Sequence, residues 1–246
     1  LSGKRGLTAC TICFLPVFFG FILPFCVLAN LGYGSLEIWI NADLASAIKN
    51  TIVVSGLAAF ITVLFGLLMV YGIRLSGRTL PQTILPLTTI GYAAPGAVLG
   101  IGILVPLGIV DNWVADRVLD LTGYDPGLIF TGTAFAIILA YCVRFFSIAQ
   151  HTVDGAFGRI SPSLPNAAQS LGRNKLQVLL QIYRPLISTS TATALLLIFV
   201  DCVKELPATM LLRPFNFETL ATRVHVQASL EDLPNAAPGS ILIVLI

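Results

Sequence analysis

Three ionisable residues stand together at the end of an apolar stretch, where a charge is costly to bury. Lys204 and Glu205 follow Asp201 at spacings of three and four residues, so a helix would place all three side chains on one face. Ionisable groups in apolar surroundings usually pair with one another or face a pathway, and carboxylates are suitable ligands for hard cations. Two interpretations stay open: a locally neutralised ion pair, or Asp201 or Glu205 lining the outer mouth of a pathway.

The cysteines and histidines do not form a pattern that would bind a metal. Cys10 and Cys13 have C-x-x-C spacing, but they stand at the start of an apolar run, and the other three cysteines also lie in apolar stretches. A structural zinc site needs four ligands that converge on the metal, and the topology that we predict puts His151 and His225 on opposite sides. We expect the cysteines to be small packing residues, and we expect neither a metal site nor a catalytic residue.

Prolines and glycines interrupt one of the apolar stretches. Pro95 and Gly96 are its central pair, and Gly96 with Gly100 forms a small-x-x-x-small surface that lets helices approach closely. Interrupted helices at membrane depth occur where neighbours or a cavity satisfy the freed backbone groups. Close packing is the role that we predict, and a hinge or gate is the alternative. The other members of the set are Pro81, Pro86, Pro106, Gly91 and Gly102.

The composition is that of an integral membrane protein. Of the 246 residues, 56% are hydrophobic and 11% are charged, against about 25% charged residues in ordinary globular proteins. A disordered chain is excluded, because so apolar a chain would bury its side chains. A net charge of +2 without a basic run argues against a partner made of nucleic acid. Membrane helices, which need about 20 apolar residues each, must therefore position the ionisable residues.

The uncharged stretches predict an all-α, polytopic membrane helix bundle with five full membrane helices and the start of a sixth at Pro238–Ile246. Because the chain begins without Met and stops in an apolar run, we expect a segment of a longer protein, organised as a single membrane domain over residues 1–246. The five predicted helices are Leu7–Leu28, Thr51–Tyr71, Thr83–Val110, Gly127–Ala149 and Leu186–Val203.

The basic residues predict the orientation of these helices. With the N-terminus in the cytoplasm, nine basic residues, among them Arg144, fall inside and five fall outside, as the positive-inside rule requires. The long segment 150–184 is then cytoplasmic, and the long segment 204–237 faces the other side. These two segments are where soluble partners could reach the protein.

The cytoplasmic segment contains a short helix pattern. Ser161 and Pro162 are a good helix start, and Gly172 suits a helix end that needs a left-handed backbone. An apolar stripe at helical spacing runs along this helix, formed by Leu164, Ala167, Ala168 and Leu171. A second helical pattern covers residues 174–183, and Pro185 opens the fifth membrane helix. The short helix either lies at the membrane interface or docks into a groove on a soluble partner.

The same segment resembles the cytoplasmic pattern of ABC importer permeases. That pattern is Glu-Ala-Ala, three residues, Gly, nine residues, Ile, one residue, Leu-Pro. All its spacings are present here in Asn166-Ala167-Ala168, Gly172, Ile182 and Arg184-Pro185. Asn166 replaces the Glu and Arg184 replaces the Leu. The resemblance implies that Ser163–Gly172 is a coupling helix for a separate ATP-binding subunit, with Ser163, Leu164, Asn166, Ala167, Ala168, Leu171, Gly172, Ile182 and Pro185 as its coupling residues.

Two further stretches resemble the ferric-iron subgroup of these permeases, namely Pro95–Gly102 and Lys204–Ala221. The resemblance implies a multi-pass protein of the bacterial inner membrane, embedded in lipid. Its partners would be the ATP-binding subunit, a periplasmic or extracellular substrate-binding protein, and a second permease half. This chain would be the C-terminal half of a fused permease. We also expect Asp201, Glu205, Pro95 and Gly96 to lie on the translocation pathway.

Other functions predict different features. A permease for thiamine, polyamine or sulfate would share the fold and match residues 204–221 less well. A secondary transporter or channel would work without an ATPase and leaves the cytoplasmic pattern without a role. A membrane enzyme needs a cluster of His, Cys or Asp that we do not find. No Gly-x-x-x-x-Gly-Lys-Ser/Thr pattern is present, so we expect this chain to bind no cofactor and ATP to be used by the partner subunit.

Overall fold

The computed structural model of the protein describes residues 3–34, 36–76 and 85–246, and these residues form helices and no strand. Four wider or tighter helical turns accompany the α-helices in the described residues: π turns at Phe18–Ile22 and Leu179–Tyr183, and 3-10 turns at Leu36–Ile40 and Leu85–Thr89. In chain order, the α-helices are α1 Lys4–Val17, α2 Leu23–Tyr33, α3 Ala42–Ser76, α4 Ile90–Ala93, α5 Gly96–Thr122, α6 Phe135–Gly158, α7 Ser163–Ser170, α8 Lys175–Val178, α9 Arg184–Val203, α10 Pro207–Leu212, α11 Leu220–Ser229 and α12 Leu233–Leu245.

Five helical spans among the described residues are long and apolar enough to cross a membrane, which confirms the predicted number. A sixth, shorter apolar helix is α12. The spans are Gly6–Tyr33, Ala42–Arg74, Gly96–Thr122, Phe135–Gly158 and Lys175–Val203. Their bounds differ from the prediction, because uncharged windows detect only the apolar part of a helix. Thr83, Pro81 and Arg78 lie outside the described residues.

The third span is where the boundaries were most wrong. It was predicted to end at Val110, but α5 continues to Thr122 and carries Asp111 in its interior. The Asp111 carboxylate is fully buried and accepts the backbone N–H groups of Ile129, Phe130 and Thr131 at 2.7–2.9 Å. It also accepts the Thr131 hydroxyl at 2.6 Å. These hydrogen bonds stabilise the buried charge of Asp111 inside α5. They also hold residues 129–131 as a loop, where the fourth helix was predicted to begin.

Two spans contain π turns followed by a proline. The first π turn precedes Pro24 in α2, and the second precedes Pro185 in α9. Proline lacks an N–H, and its ring crowds the carbonyl of the residue four positions earlier, so the preceding turn widens. Pro185 was predicted to open the fifth helix. Instead it lies inside one continuous span from Lys175 to Val203.

The chain divides into two compact units. The first comprises the described residues up to Asn50 and Glu218–Ile246. In it α2 packs against α12, the Trp39 indole donates to the Gly32 carbonyl at 3.0 Å, and Leu44, Ala47 and Leu220 form a small core.

The second unit is Thr51–Phe217 and has its core between α3, α5, α6, α9 and α10. Helix α6 is its centre and packs against α9, α5, α4 and α10. Small residues of α6, such as Ala136 and Ala140, are fully buried against their neighbours, which permits close helix approach. The residues with predicted functional roles all lie in this unit.

Candidate functional site

Two breaks in the helical backbone meet at the side of α6. The first is at Ala94 and Pro95, where extended backbone separates α4 from α5. The second is at Lys204–Leu206, between α9 and α10. Helix α10 packs against α5 and α6, and α4 packs against α6. The predicted pathway residues Pro95, Gly96 and Glu205 are therefore neighbours in space, although more than 100 residues separate them in sequence.

Arg144 of α6 joins the two breaks. Its Nε lies 3.4 Å from Glu205 Oε2, and its Nη1 donates to the Ala94 carbonyl at 3.3 Å. Glu205 Oε1 accepts the N–H of Ala208 at 3.3 Å, at the start of α10. The Arg144 side chain is 20% exposed and that of Glu205 is 8% exposed. We call Arg144, Glu205 and Gly96 the clasp, because together they hold α4, α5, α6 and α10 at one point.

Gly96 belongs to the clasp because the ion pair lies directly against its Cα. A Cβ at this position would lie 2.6 Å from Arg144 Nη1 and 2.6 Å from Glu205 Oε1, closer than van der Waals contact allows. One turn further along α5, a Cβ at Gly100 would lie 3.1 Å from Leu211 Cδ1. Both glycines are buried. The predicted close packing of the Gly96–Gly100 surface is thus what the geometry shows.

Asp201 and Lys204 lie together as predicted and pair at 2.7 Å. Helix α9 ends at Val203, so Glu205 is not part of this helix and pairs with Arg144 instead. The chain turns here because Pro207 begins the next helix and cannot continue the previous one. The interpretation as a neutralised pair holds for Asp201 with Lys204.

The charge count assigns Arg144 to the cytoplasmic side of the membrane. It is the tenth residue of α6, a 24-residue helix, and it lies in the interior of that span. Its charge is tolerated there because Glu205 neutralises it. The sequence contains one indication of this pairing: Arg144 stands in an otherwise apolar run and has no acidic residue on its own helix face.

A cavity of about 300 Å³ opens beside the clasp. Its lining combines two cations and two carboxylates with two aromatic rings: Arg144, Lys204, Asp201, Glu205, Tyr92 and Phe145. The Arg144 guanidinium also lies over the Phe145 ring, with its central carbon 5.8 Å from the ring centroid. The cavity is thus polar in an apolar bundle, and its formal charges balance.

A second polar link ties α6 to α10 behind the clasp. The Tyr141 and Thr209 hydroxyls are 2.6 Å apart and buried, and Thr209 donates to the Glu205 carbonyl at 2.8 Å. Both hydroxyls are therefore satisfied without water. The turn that carries Glu205 is held by its backbone as well as by its side chain.

The predicted coupling helix is present as α7, and Gly172 ends it as expected. Gly172 has φ +84°, and its N–H donates to the Gln169 carbonyl at 2.9 Å. The N–H of Arg173 donates to the Ala168 carbonyl at 3.1 Å. These two bonds form a Schellman motif, which requires a left-handed residue at this position. The next helix begins at once, with a reciprocal capping box between Asn174 and Gln177.

The apolar stripe of α7 differs from the prediction, whereas its start agrees with it. The helix begins at Ser163, and Ser161 Oγ accepts the backbone N–H of Ser163 at 3.4 Å, as a capping hydroxyl does. Of the predicted stripe only Ala168 is buried, together with Pro165. Leu164 is 49% exposed and Leu171 is 84% exposed. Two large apolar side chains of this segment are therefore left exposed by the described part of the chain.

The remaining predicted coupling residues flank this surface. Ser163, Asn166 and Ala167 are exposed on α7, Ile182 is half-buried in the second π turn, and Pro185 is exposed in α9. The described residues contain no group of three or more His, Cys, Asp or Glu side chains that could hold a metal ion.

The chain matches the family model described as binding-protein-dependent transport system inner membrane component, over residues 62–246. It is 29% identical over 204 residues to the Fe(3+)-transport system permease protein FbpB 2 of Haemophilus influenzae, covering 83% of this chain and 37% of that protein. It is 27% identical to the ferric transport system permease protein FbpB of Actinobacillus pleuropneumoniae, covering 80% of this chain and 26% of that protein. The chain therefore spans well under half the length of these ferric relatives.

A second kind of relative has a length closer to that of this chain. The sulfate transport system permease protein CysT of Salmonella typhimurium is 25% identical, with 84% of this chain and 73% of that protein covered. Among solved structures, a bacterial alginate ABC transporter in complex with an alginate-bound periplasmic protein has a TM-score of 0.69 at 17% identity. The match covers 98% of this chain and 91% of that one, which shows the fold. The chain belongs to the family of inner membrane components of binding-protein-dependent transport systems.

Proposed function

We propose that this chain forms part of the translocation pathway of an ATP-driven importer and that α7 receives the ATP-binding subunit. The observation that carries the proposal is the exposed apolar surface of Leu164 and Leu171, held on a short helix whose end is fixed by the Schellman motif at Gly172. An apolar helix face on a rigid bend suits a helix-in-groove contact. The spacing of the permease pattern around Ala167, Ala168 and Gly172 supports the same partner.

The helix that follows α7 provides a mechanical route from this surface to the clasp. Residues Lys175–Val203 form one continuous span, which begins three residues after Gly172 and ends two residues before Glu205. At about 1.5 Å per residue, such a span is long enough to cross the bilayer. A displacement of α7 by the ATPase would therefore move the turn that carries Glu205. Transport by alternating access requires that each partner contact the two states differently.

Such a movement would change the geometry of the clasp, because the clasp joins both helix breaks. Shifting the turn at Lys204–Leu206 changes the distance between Glu205 and Arg144, and with it the hold on Ala94 and Gly96. We propose that Pro95, Gly96, Asp201 and Glu205 lie along the pathway or its gate, and that Arg144 belongs with them.

The proposed orientation places the N-terminus and α7 in the cytoplasm. The basic residues favour this arrangement, and it leaves Lys204–Ala237 on the opposite face for a substrate-binding protein. A second permease half completes the pathway, which agrees with the length of the ferric relatives. This chain would then be one half of a fused protein.

We propose ferric iron as the cargo, because the two ferric permeases are similar over four-fifths or more of this chain. Sulfate is the second candidate, since the similar sulfate permease is covered over most of its length.

The test is uptake by the assembled transporter in proteoliposomes, with its ATP-binding subunit and its substrate-binding protein. We expect uptake of ferric iron to need ATP and the binding protein, and sulfate, thiamine and polyamines not to compete. Competition by sulfate would reassign the cargo. Uptake that continues without the ATP-binding subunit would show a secondary transporter or channel, and would overturn the proposal.

A further inference from the structure

An apolar groove runs between α3 and the span that contains α9. Its volume is about 470 Å³, and its apolar lining comes from Leu64, Leu67 and Leu68 on one side and from Leu179, Leu180, Ile187, Ala192 and Leu195 on the other. All of these residues belong to the same compact unit. The groove is separate from the cavity beside the clasp, since the two share no lining residue.

The second π turn shapes this groove. Leu179 and Leu180 belong to it, and the turn is wider than an α-helical turn because Pro185 follows it. In a straight α-helix, the side chains of Leu179 and Leu180 would follow the regular helical spacing.

The hydroxyl groups that line the groove are already used within the protein. The Tyr71 hydroxyl donates to the Lys175 carbonyl, that of Ser188 donates to the Pro185 carbonyl at 2.9 Å, and that of Thr191 donates to the Ile187 carbonyl at 2.9 Å. A ligand in the groove would therefore meet hydrocarbon along its length. The groove suits an alkyl chain and not a polar solute.

Arg184 is the one charged residue in this lining, and it differs from the arginines nearby. Arg74 pairs with Asp154 at 2.8 Å, and Arg159 donates to Ser190 at 2.9 Å. Arg184 is exposed and has no acidic or hydrogen-bonding partner in the described part of the chain. It also stands where the permease pattern has Leu, so the coupling role of the segment does not explain its charge.

We propose that this groove binds an anionic phospholipid, with an acyl chain between α3 and α9 and the phosphate at Arg184. In the proposed orientation Arg184 lies towards the cytoplasmic face, where basic pockets between membrane helices bind anionic head groups. The arginine stem can lie along the apolar wall while the guanidinium reaches the head-group level. A helix of the second permease half would cover the leucines equally well, but it would have to supply an acid to match Arg184.

Native mass spectrometry of the purified full-length protein, with its second permease half present, tests this proposal. The probes are phosphatidylglycerol and phosphatidylcholine with identical acyl chains. We expect a preference for phosphatidylglycerol that falls about fivefold in Arg184→Gln, the change expected from loss of one basic contact. The matched control is Arg173→Gln, which removes an exposed charge outside the groove and should keep the preference.

A second pair of variants tests the acyl site. Ala192→Trp fills the groove and should reduce binding of both lipids, whereas Leu196→Trp, at an exposed position of the same helix outside the lining, should not. Equal binding of the two lipids by the unsubstituted protein, or a preference that survives both Arg184→Gln and Ala192→Trp, would overturn the proposal. So would a cysteine at Ala192 that cross-links to another permease helix. Because the readout is lipid binding, it is independent of the uptake assay that tests the proposed function.

Discussion

At position 96, the absence of a side chain makes room for two charged atoms. Arg144 and Glu205 contact each other over the Gly96 Cα, and the same pair holds the carbonyl of Ala94 and the first turn of α10. A helix break usually leaves backbone groups that need partners. The clasp supplies some of these partners from side chains that lie far apart in sequence.

Replacing Gly96 by Ala should separate the ion pair. The added Cβ overlaps both charged atoms, and overpacking of this kind costs about 1–3 kcal/mol. We expect a lower midpoint of thermal unfolding in detergent and a large loss of uptake in proteoliposomes. The control is Gly102→Ala on the same helix, where a Cβ would meet no atom within 4 Å and helix propensity favours Ala by about 0.5–1 kcal/mol. Equal behaviour of the two variants would contradict the role given to Gly96.

Replacing Glu205 by Ala should destabilise the protein, because it leaves Arg144 charged and largely buried. Breaking a buried pair in this way costs about 3–5 kcal/mol. The double variant Arg144→Met with Glu205→Leu replaces both charges by apolar side chains. It should recover most of this stability, while its uptake should remain low. Uptake that returns together with stability would confine the clasp to a structural role. The measurements are thermal unfolding and initial rates of uptake.

Among the helices, the buried carboxylate of Asp111 shows how an element can differ from its uncharged window. It fixes the loop at Ile129–Thr131 with three backbone bonds and one hydroxyl bond. The pattern of charges suggested that α5 stops at this residue. The charge is instead satisfied from another part of the chain, which the sequence does not display.

The Asp111→Asn variant tests this loop. The amide of Asn has one acceptor oxygen, and its NH2 group would face the backbone N–H donors. The variant therefore weakens hydrogen bonds to a charged acceptor, each of which contributes about 1.5–3 kcal/mol. We expect a clear drop in thermal stability and faster hydrogen exchange at residues 129–131. Asp116→Asn, at an exposed position of the same helix, should change neither. Unchanged exchange in Asp111→Asn would contradict the role of the carboxylate.

The bend after α7 is the element that should couple ATP hydrolysis to uptake. Gly172→Val puts a β-branched residue at φ +84°, which strains the Schellman motif. We expect ATP hydrolysis by the assembled transporter to continue while uptake falls. Gly123→Val imposes similar strain at φ +72°, at the end of α5, and should leave uptake per ATP unchanged. The ratio of the two rates is the measurement, and an unchanged ratio in Gly172→Val would contradict coupling through this bend.

The sequence predicted the membrane helices and the Gly172 bend well, and for a physical reason. Both depend on local features: a run of apolar residues must span the bilayer, and a helix end with a left-handed residue favours glycine. The partner of Arg144, the separation of Glu205 from the Asp201–Lys204 pair and the exposure of Leu171 depend on tertiary packing. Residues such as Arg144 and Glu205 are 61 positions apart, and only the fold brings them together.

For the molecule as a whole, one continuous span links the exposed surface of α7 to the clasp. In the proposed mechanism, a movement at one end of Lys175–Val203 is transmitted to the other end, unless the second π turn absorbs it. The family membership and the fold are established. The direction in which a movement would be transmitted along this span depends on which side of the membrane α7 faces.

The most direct test is labelling of Leu164→Cys in a chain whose five native cysteines have been replaced by alanine. We predict that a membrane-impermeant thiol reagent labels this position in inside-out vesicles and not in intact cells. We also expect the assembled ATP-binding subunit to protect the position from labelling. Labelling from the outside of intact cells, or labelling that the ATP-binding subunit leaves unchanged, would contradict the claim that α7 is where the nucleotide-driven subunit docks.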